Sequence, residues 1–198
     1  MSSAFAIAAT TFLLKDLLDN HLIAQGLTSS LGEVSVTALS PDRVPVGAEE
    51  RSQLNLFLYR ITPFTVWRGG RNGAGAAPGR AATVAPPLAL ELHYLLAAYG
   101  EHDFHADLLL GVAMQVLHQT PVLTAAAIRR TLTTGVSAGG SAPLRAALAA
   151  ASINEGEAGL TIEPEFLSSE ETSKLWSALQ ARYRPSASYK VSAIMIGS

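Results

Sequence analysis

The stretch HYLLAAYGEHDFHADLLLGVAMQVLHQTP, beginning at His93 and closing at Pro121, carries four of the chain's five histidines: His93, His102, His105 and His118. His102 and His105 are three residues apart, Asp103 and Asp107 four apart, so on a helix each pair shares a face and offers imidazole nitrogens or carboxylate oxygens to a metal. A zinc or iron centre needs a third ligand, and neither H-E-x-x-H nor another ligand motif is present. The alternative places Glu101 and Asp103 at a helix N-terminus, where acids complement the macrodipole, with the histidines exposed around them. His118 then falls in the last turn, where an imidazole can bond free carbonyls. A second candidate is GVSAG, Gly135 to Gly139, which fits the G-x-S-x-G nucleophile elbow around Ser137. In that fold the histidine follows the serine, and no histidine follows Ser137 here. GGRNGAGAAPGR lacks the G-K-[ST] ending of a phosphate-binding loop, and Pro78 stands where the dinucleotide fingerprint needs glycine. Glu163 and Glu165 flank Pro164 and read as solvated acids at a strand exit. There is no cysteine, which removes thiol nucleophiles and thiolate metal sites. No catalytic residue, cofactor or metal ligand is assigned.

The elements around these residues read as follows. From Ala4 to Gln25, Ile7, Leu14, Leu18 and Leu22 recur at helical spacing and Gly26 supplies a stop. EVSVTAL, Glu33 to Leu39, alternates with period two as a half-exposed strand. QLNLFLYRI, Gln53 to Ile61, has apolar residues on both faces and reads as a central strand. PLALELHYLLAAYG repeats that pattern, with Glu91 and His93 opposite the leucines. A helix is predicted from Asp103 to His118, ended by Pro121, and a shorter one in TAAAIRRTLTT. GVSAGGSAPLRAALAAAS reads as a loop leading to a further helix. AGLTIEP, Ala158 to Pro164, is a strand. Ser168 and Glu171 have capping-box spacing before LWSAL, and ASYKVSAIMI alternates as a closing strand. Between the two central strands lies a Gly/Pro/Arg segment, about 63–87, too poor in large apolar residues to build a core. It is expected to be a mobile loop. The order predicts an α/β (α+β) chain: one domain over residues 1–198, a single mixed sheet flanked by helices.

Of the 198 residues, 48% are hydrophobic and only 15% charged, sparse for a lone soluble domain, where about a quarter is usual. The missing charge points to surface covered by other subunits. A net charge of -2 gives no attraction to phosphate backbones, so no nucleic-acid partner is expected. The apolar start lacks a basic region and is interrupted by Lys15, Asp16 and Asp19, unlike a signal peptide. No uncharged apolar stretch reaches the roughly 18 residues that a membrane crossing requires.

Three segments together are more specific: LNLFLYRITP; PLALELHYLLAAYG with LLGVAMQVLHQTPVL; and IEPEFLSSEETSKLWSALQARYRPSASYKVSAIMI. With them the chain resembles the N-terminal domain of the cap, or tail-terminator, proteins of contractile injection systems, which are phage-tail-like particles. Leu117-His118 with Thr120 to Leu123, and Ser168 to Trp176 with Tyr183-Arg184, carry most of the likeness. It implies a non-enzymatic ring, hexameric, that ends the inner tube and contractile sheath away from the baseplate and is assembled in the cytoplasm. Its implied partners are further copies of itself, the terminal sheath subunits and the terminal tube subunits. Trp67, Arg68, Arg71, Arg80, Tyr183 and Arg184 are the candidate interface residues, being of types enriched at hot spots. Trp176 is expected in the core. The alternatives are an adaptor at the baseplate or for cargo, and a small serine or metal-dependent hydrolase.

Overall fold

The computed structural model describes residues 5–27, 31–64, 88–134 and 159–196. The segment read as a mobile loop lies outside these except at its first two residues, and so do Ser137 and the small-residue run after it.

The first helix, α1 (Ala6–Ala24), buries Ala6, Ala9, Leu13, Leu14, Leu18 and Leu22 as one stripe. A stripe of that spacing must lie against another apolar layer, and the sheet provides it. The strands are β1 (Ser35–Thr37), β2 (Gln53–Pro63), β3 (Leu88–Tyr99), β4 (Val122–Leu123), β5 (Leu160–Glu165) and β6 (Ser186–Ile196), arranged β1-β2-β3-β6-β5-β4. Among the described residues only the β1–β2 pair runs parallel. The fold is thus the predicted α+β class, one mixed sheet with helices packed on it.

β1 is shorter than the alternation from Glu33 to Leu39 implied. Asn55, wholly buried in β2, accepts from the Leu39 amide and donates to the Leu39 carbonyl, both at 2.9 Å. Its side-chain amide therefore replaces the ladder where β1 ends. The central-strand reading of β2 holds from Gln53 to Leu56, all nearly inaccessible, and fails beyond, where Arg60 and Ile61 are exposed.

Among the described residues, α1, α2 (His105–Gln119) and α3 (Ala125–Thr134) cover one face. Beneath them Leu54 and Leu56 of β2, Leu92, Tyr94 and Leu96 of β3 and Val191 of β6 form the main core with Leu109, Val116 and Ile128. The other face carries a smaller cluster, Leu95, Ala97 and Tyr99 against Trp176 of α4 (Ser169–Ala178) and Val44. Trp176 is core, as expected. α4 begins with the predicted capping box: the Glu171 amide donates to Ser168 Oγ at 3.2 Å and the Ser168 amide to Glu171 Oε2 at 2.8 Å. α2 starts two residues later than predicted because Phe104 adopts φ 67, ψ -9, a left-handed conformation that no helical turn can contain. Gly159, at φ +67, leads into β5; a Cβ there would collide with the Leu123 carbonyl oxygen. Among the described residues no helix is long and apolar enough to cross a membrane.

Candidate interaction surfaces

Beyond the reach of α4, the second face of the sheet is polar. A bulge between Leu58 and Arg60 puts both Tyr59 and Arg60 on this face. Sheet order then brings β2, β3, β6 and β5 side by side, and their polar residues meet around Glu165. Tyr59 donates to Glu165 Oε2 at 2.9 Å, Arg60 Nη2 to Oε1 at 2.7 Å, and His93 Nδ1 to Oε2 at 2.8 Å. With the proton on Nδ1, His93 Nε2 accepts from Thr62 Oγ1 at 2.8 Å. Ser188 Oγ donates to Tyr59 Oη at 3.1 Å. One rung away, Lys190 lies 3.3 Å from both Glu91 and Glu163.

Electrostatics follow this geometry. Burial alone would raise the Glu165 carboxyl, but hydrogen bonds from His93 and Tyr59 and the charge of Arg60 outweigh it and hold the group below the usual carboxylate range. Partial burial likewise opposes charge on Lys190, yet Glu163 and Glu91 push its ammonium above the ordinary value. The expectation of solvated acids at Glu163 and Glu165 is therefore corrected. Glu163 is half exposed but paired, and Glu165 joins three strands. The partners of Glu165 come from 72 to 106 residues earlier in the chain, a distance that local pattern does not report.

Thr62, His93 and Glu165 stand in the order hydroxyl, imidazole, carboxylate, at the spacing of a nucleophile, its base and the acid that orients it. Here the carboxylate is already engaged by Tyr59 and Arg60, and the His93 ring is 4% exposed. A groove of about 250 Å³ at the end of β5 is lined by Glu165 but by neither Thr62 nor His93. The line of bonds ties strands together rather than opening on a substrate.

The histidine-aspartate motif does not assemble a ligand set. His102 and Asp103 precede α2, and His105 Nδ1 pairs with Ser52 Oγ at 2.7 Å. The His102 and His105 rings meet edge to face at 5.1 Å. Among the described residues no three His, Asp or Glu side chains could hold a metal ion. His118 lies exposed in the last turn of α2.

Of the interface candidates, Trp67, Arg68, Arg71 and Arg80 lie outside the described residues. Tyr183 is 64% exposed and packs edge to face on Trp176, with ring centroids 5.8 Å apart. Arg184 turns inward, donating to Glu50 Oε2 at 2.6 Å with its guanidinium 5.6 Å above the Tyr99 ring. Burial pushes the Tyr99 hydroxyl up to about 12, against the charge of Arg184. Beside Tyr183 a groove of about 520 Å³ runs along α4, lined by Leu167, Thr172, Ser173, Trp176 and Tyr183.

A further surface was not anticipated. On the outward side of α2, Phe104 is 75% exposed, Leu108 50% and Met114 43%, with Gly111 among them. Helical spacing in HADLLLGVAMQVLHQ is apolar nearly all round, so periodicity could not tell which side faces out; Gly111 and the missing charge were the available signals.

The family model for the Pvc16 N-terminal domain matches residues 9–198. No curated protein matches the chain. Among solved structures it is similar to the sheath/tube terminator of PVC, an extracellular contractile injection system, in the extended state. That likeness has 13% identity and a TM-score of 0.48, over 89% of this chain and 55% of the other. It is also similar to the tube-terminating cap of the anti-feeding prophage, at 16% identity and a TM-score of 0.47, over 90% of this chain and 54% of that one. The chain spans about half the length of the solved chains it matches. With all but its first eight residues inside the match, the chain belongs to the Pvc16 N-terminal domain family.

Proposed function

We propose that this chain is a non-enzymatic cap subunit of a contractile injection system. Six copies close a ring on the end of the inner tube and sheath distal to the baseplate, stopping tube growth and holding the last sheath ring. The ring assembles in the cytoplasm as part of the particle. The observation that carries this reading is the family match over residues 9–198. The sparse charge and the exposed apolar side of α2 support it, since both fit a subunit that is covered on several sides.

Attachment to the sheath uses the open edge of β2. β1 pairs only with Gln53 to Asn55, and among the described residues nothing pairs the outer edge from Leu56 to Pro63. An extended sheath segment adds there as a further strand, gaining main-chain hydrogen bonds. Tyr183, and Arg184 through its hold on Glu50, contribute to the contact with neighbouring subunits.

Electron microscopy of particles purified from cells lacking this chain tests the role. The expected particles have over-long, uncapped, prematurely contracted or missing sheaths. Full-length particles with an intact end opposite the baseplate would overturn it, and a labelled chain found at the baseplate would assign an adaptor instead.

A further inference from the structure

We infer that the ring contact, on the cap reading above, joins the outward side of α2 in one copy to the α4 groove of the next. α2 packs on the face of the sheet that carries α1, through Leu109, Ala113, Val116 and Leu117, whereas Trp176 fixes α4 to the opposite face. A surface on the front meeting a different surface on the back is a heterologous contact, the kind that closes rings rather than dimers.

Three observations single out the α2 side. Phe104 is a bulky residue in the left-handed region, a conformation that costs free energy, yet it buries only a quarter of its surface. Its carbonyl accepts the Leu108 amide at 2.9 Å, but its exposed ring gains little contact to offset that cost. Gly111 lies on the same side in mid-helix, where glycine weakens a helix, and a Cβ there would meet nothing within 4 Å. Among the described residues nothing requires a glycine at that position, whereas close approach by another chain would. Leu108 and Met114 flank it, so the patch is an aromatic knob followed by a shallow, small-residue saddle.

The occupant is a second copy because the charges complement one another. Next to Phe104 and Leu108 along the chain the exposed charged residues Glu101, Asp103 and Asp107 are all acidic, with Arg51 the nearby basic residue, beside the Ser52 that bonds His105 and the Glu101 amide. Beside the α4 groove Arg182 is exposed next to Tyr183, while the acids of α4 are committed locally, Glu171 to the Ser168 cap and Glu170 to Lys174. The groove offers Tyr183, 64% exposed and backed by the buried Trp176, to a ring of the size of Phe104.

The absence of cysteine makes the test direct. Leu108→Cys and Ser173→Cys chains, each made singly, are co-expressed, and the assembled caps are treated with a short bis-maleimide. The expected result is a product joining positions 108 and 173 in the mixed caps, and no linked dimer from either variant alone. An oligomer of unchanged mass without the mixed product, or with 108 joined to 108, overturns this contact and leaves the cap reading standing. A chain that is monomeric, both alone and on purified tubes, overturns both. Phe104→Asn provides a second arm, because asparagine tolerates the left-handed region. Its isolated subunit should melt no lower than the parent while the oligomer dissociates at least tenfold more readily; unchanged dissociation removes Phe104 from the contact.

Discussion

The two faces of the sheet are held by different physics. On the α1 side, β2, β3 and β6 contribute leucine, tyrosine and valine to one continuous core. On the α4 side, among the described residues, the buried cluster has five members with Tyr59, Leu175, Leu179 and Ala181 packed against it, and side-chain bonds among Arg60, His93, Lys190 and three glutamates join the neighbouring polar surface. The first face provides stability in proportion to area removed from water. The second adds little net energy, since charge desolvation offsets pairing, but it penalises any strand order that separates the partners. Neighbouring positions in one strand thus have different sensitivities: Leu92 supports the fold and His93 its register.

The largest expected effect tests the core side. Leu92→Ala, at a fully inaccessible position, should cost about 3 kcal/mol, and for a chain of this length that lowers Tm by roughly 6–12 °C. Leu95→Ala, 2% exposed on the other face, removes the same atoms beneath a single helix that can settle into the space. Its cost should be smaller, about 2 kcal/mol. Equal losses by calorimetry would contradict the asymmetry between the faces.

Next is the polar side. Glu165→Gln keeps the shape but removes the charge that His93, Tyr59 and Arg60 address, and should cost about 1–2 kcal/mol after allowing for its partial exposure. The carboxyl of Glu165 is depressed below its ordinary value of 4.5, so its stabilisation is complete above that value and is lost as pH falls through the lower, folded value. The parent chain should therefore lose stability more steeply than the variant at acidic pH, and the two denaturation curves should converge there. Parallel curves from neutral to acid pH would show that Glu165 is not the group responsible.

Much of this arrangement was legible in sequence, and the losses have physical causes. Period-two leucines placed β2 and β3, and the Ser168 and Glu171 spacing located the start of α4, because those signals are local. The setting of Glu163 and Glu165 escapes local pattern because solvation depends on strand order: the order β3-β6-β5 leaves Glu165 only one strand removed from β3, and its side chain reaches His93 across β6. The start of α2 was misplaced by the unusual conformation of Phe104, which no residue type announces. For Arg184 the residue type marks it in the sequence, whereas its partners Glu50 and Tyr99 lie 134 and 85 residues earlier and leave no local signal.

The smallest expected effect concerns the helix on the weaker face. Ser168→Ala removes the oxygen that accepts the Glu171 amide and should cost about 1 kcal/mol. Where that cost is felt matters more than its size. α4 covers the small cluster through one buried tryptophan, so fraying its first turn should raise amide exchange in α4 and alter Trp176 emission, with α1 amides unchanged. Matching increases in α1 would mean that the two faces unfold as one unit and that the polar side contributes to global stability after all. Exchange confined to α4 would instead identify a locally opening helix beside the groove proposed to receive the next subunit, so that closing the ring would protect those same amides.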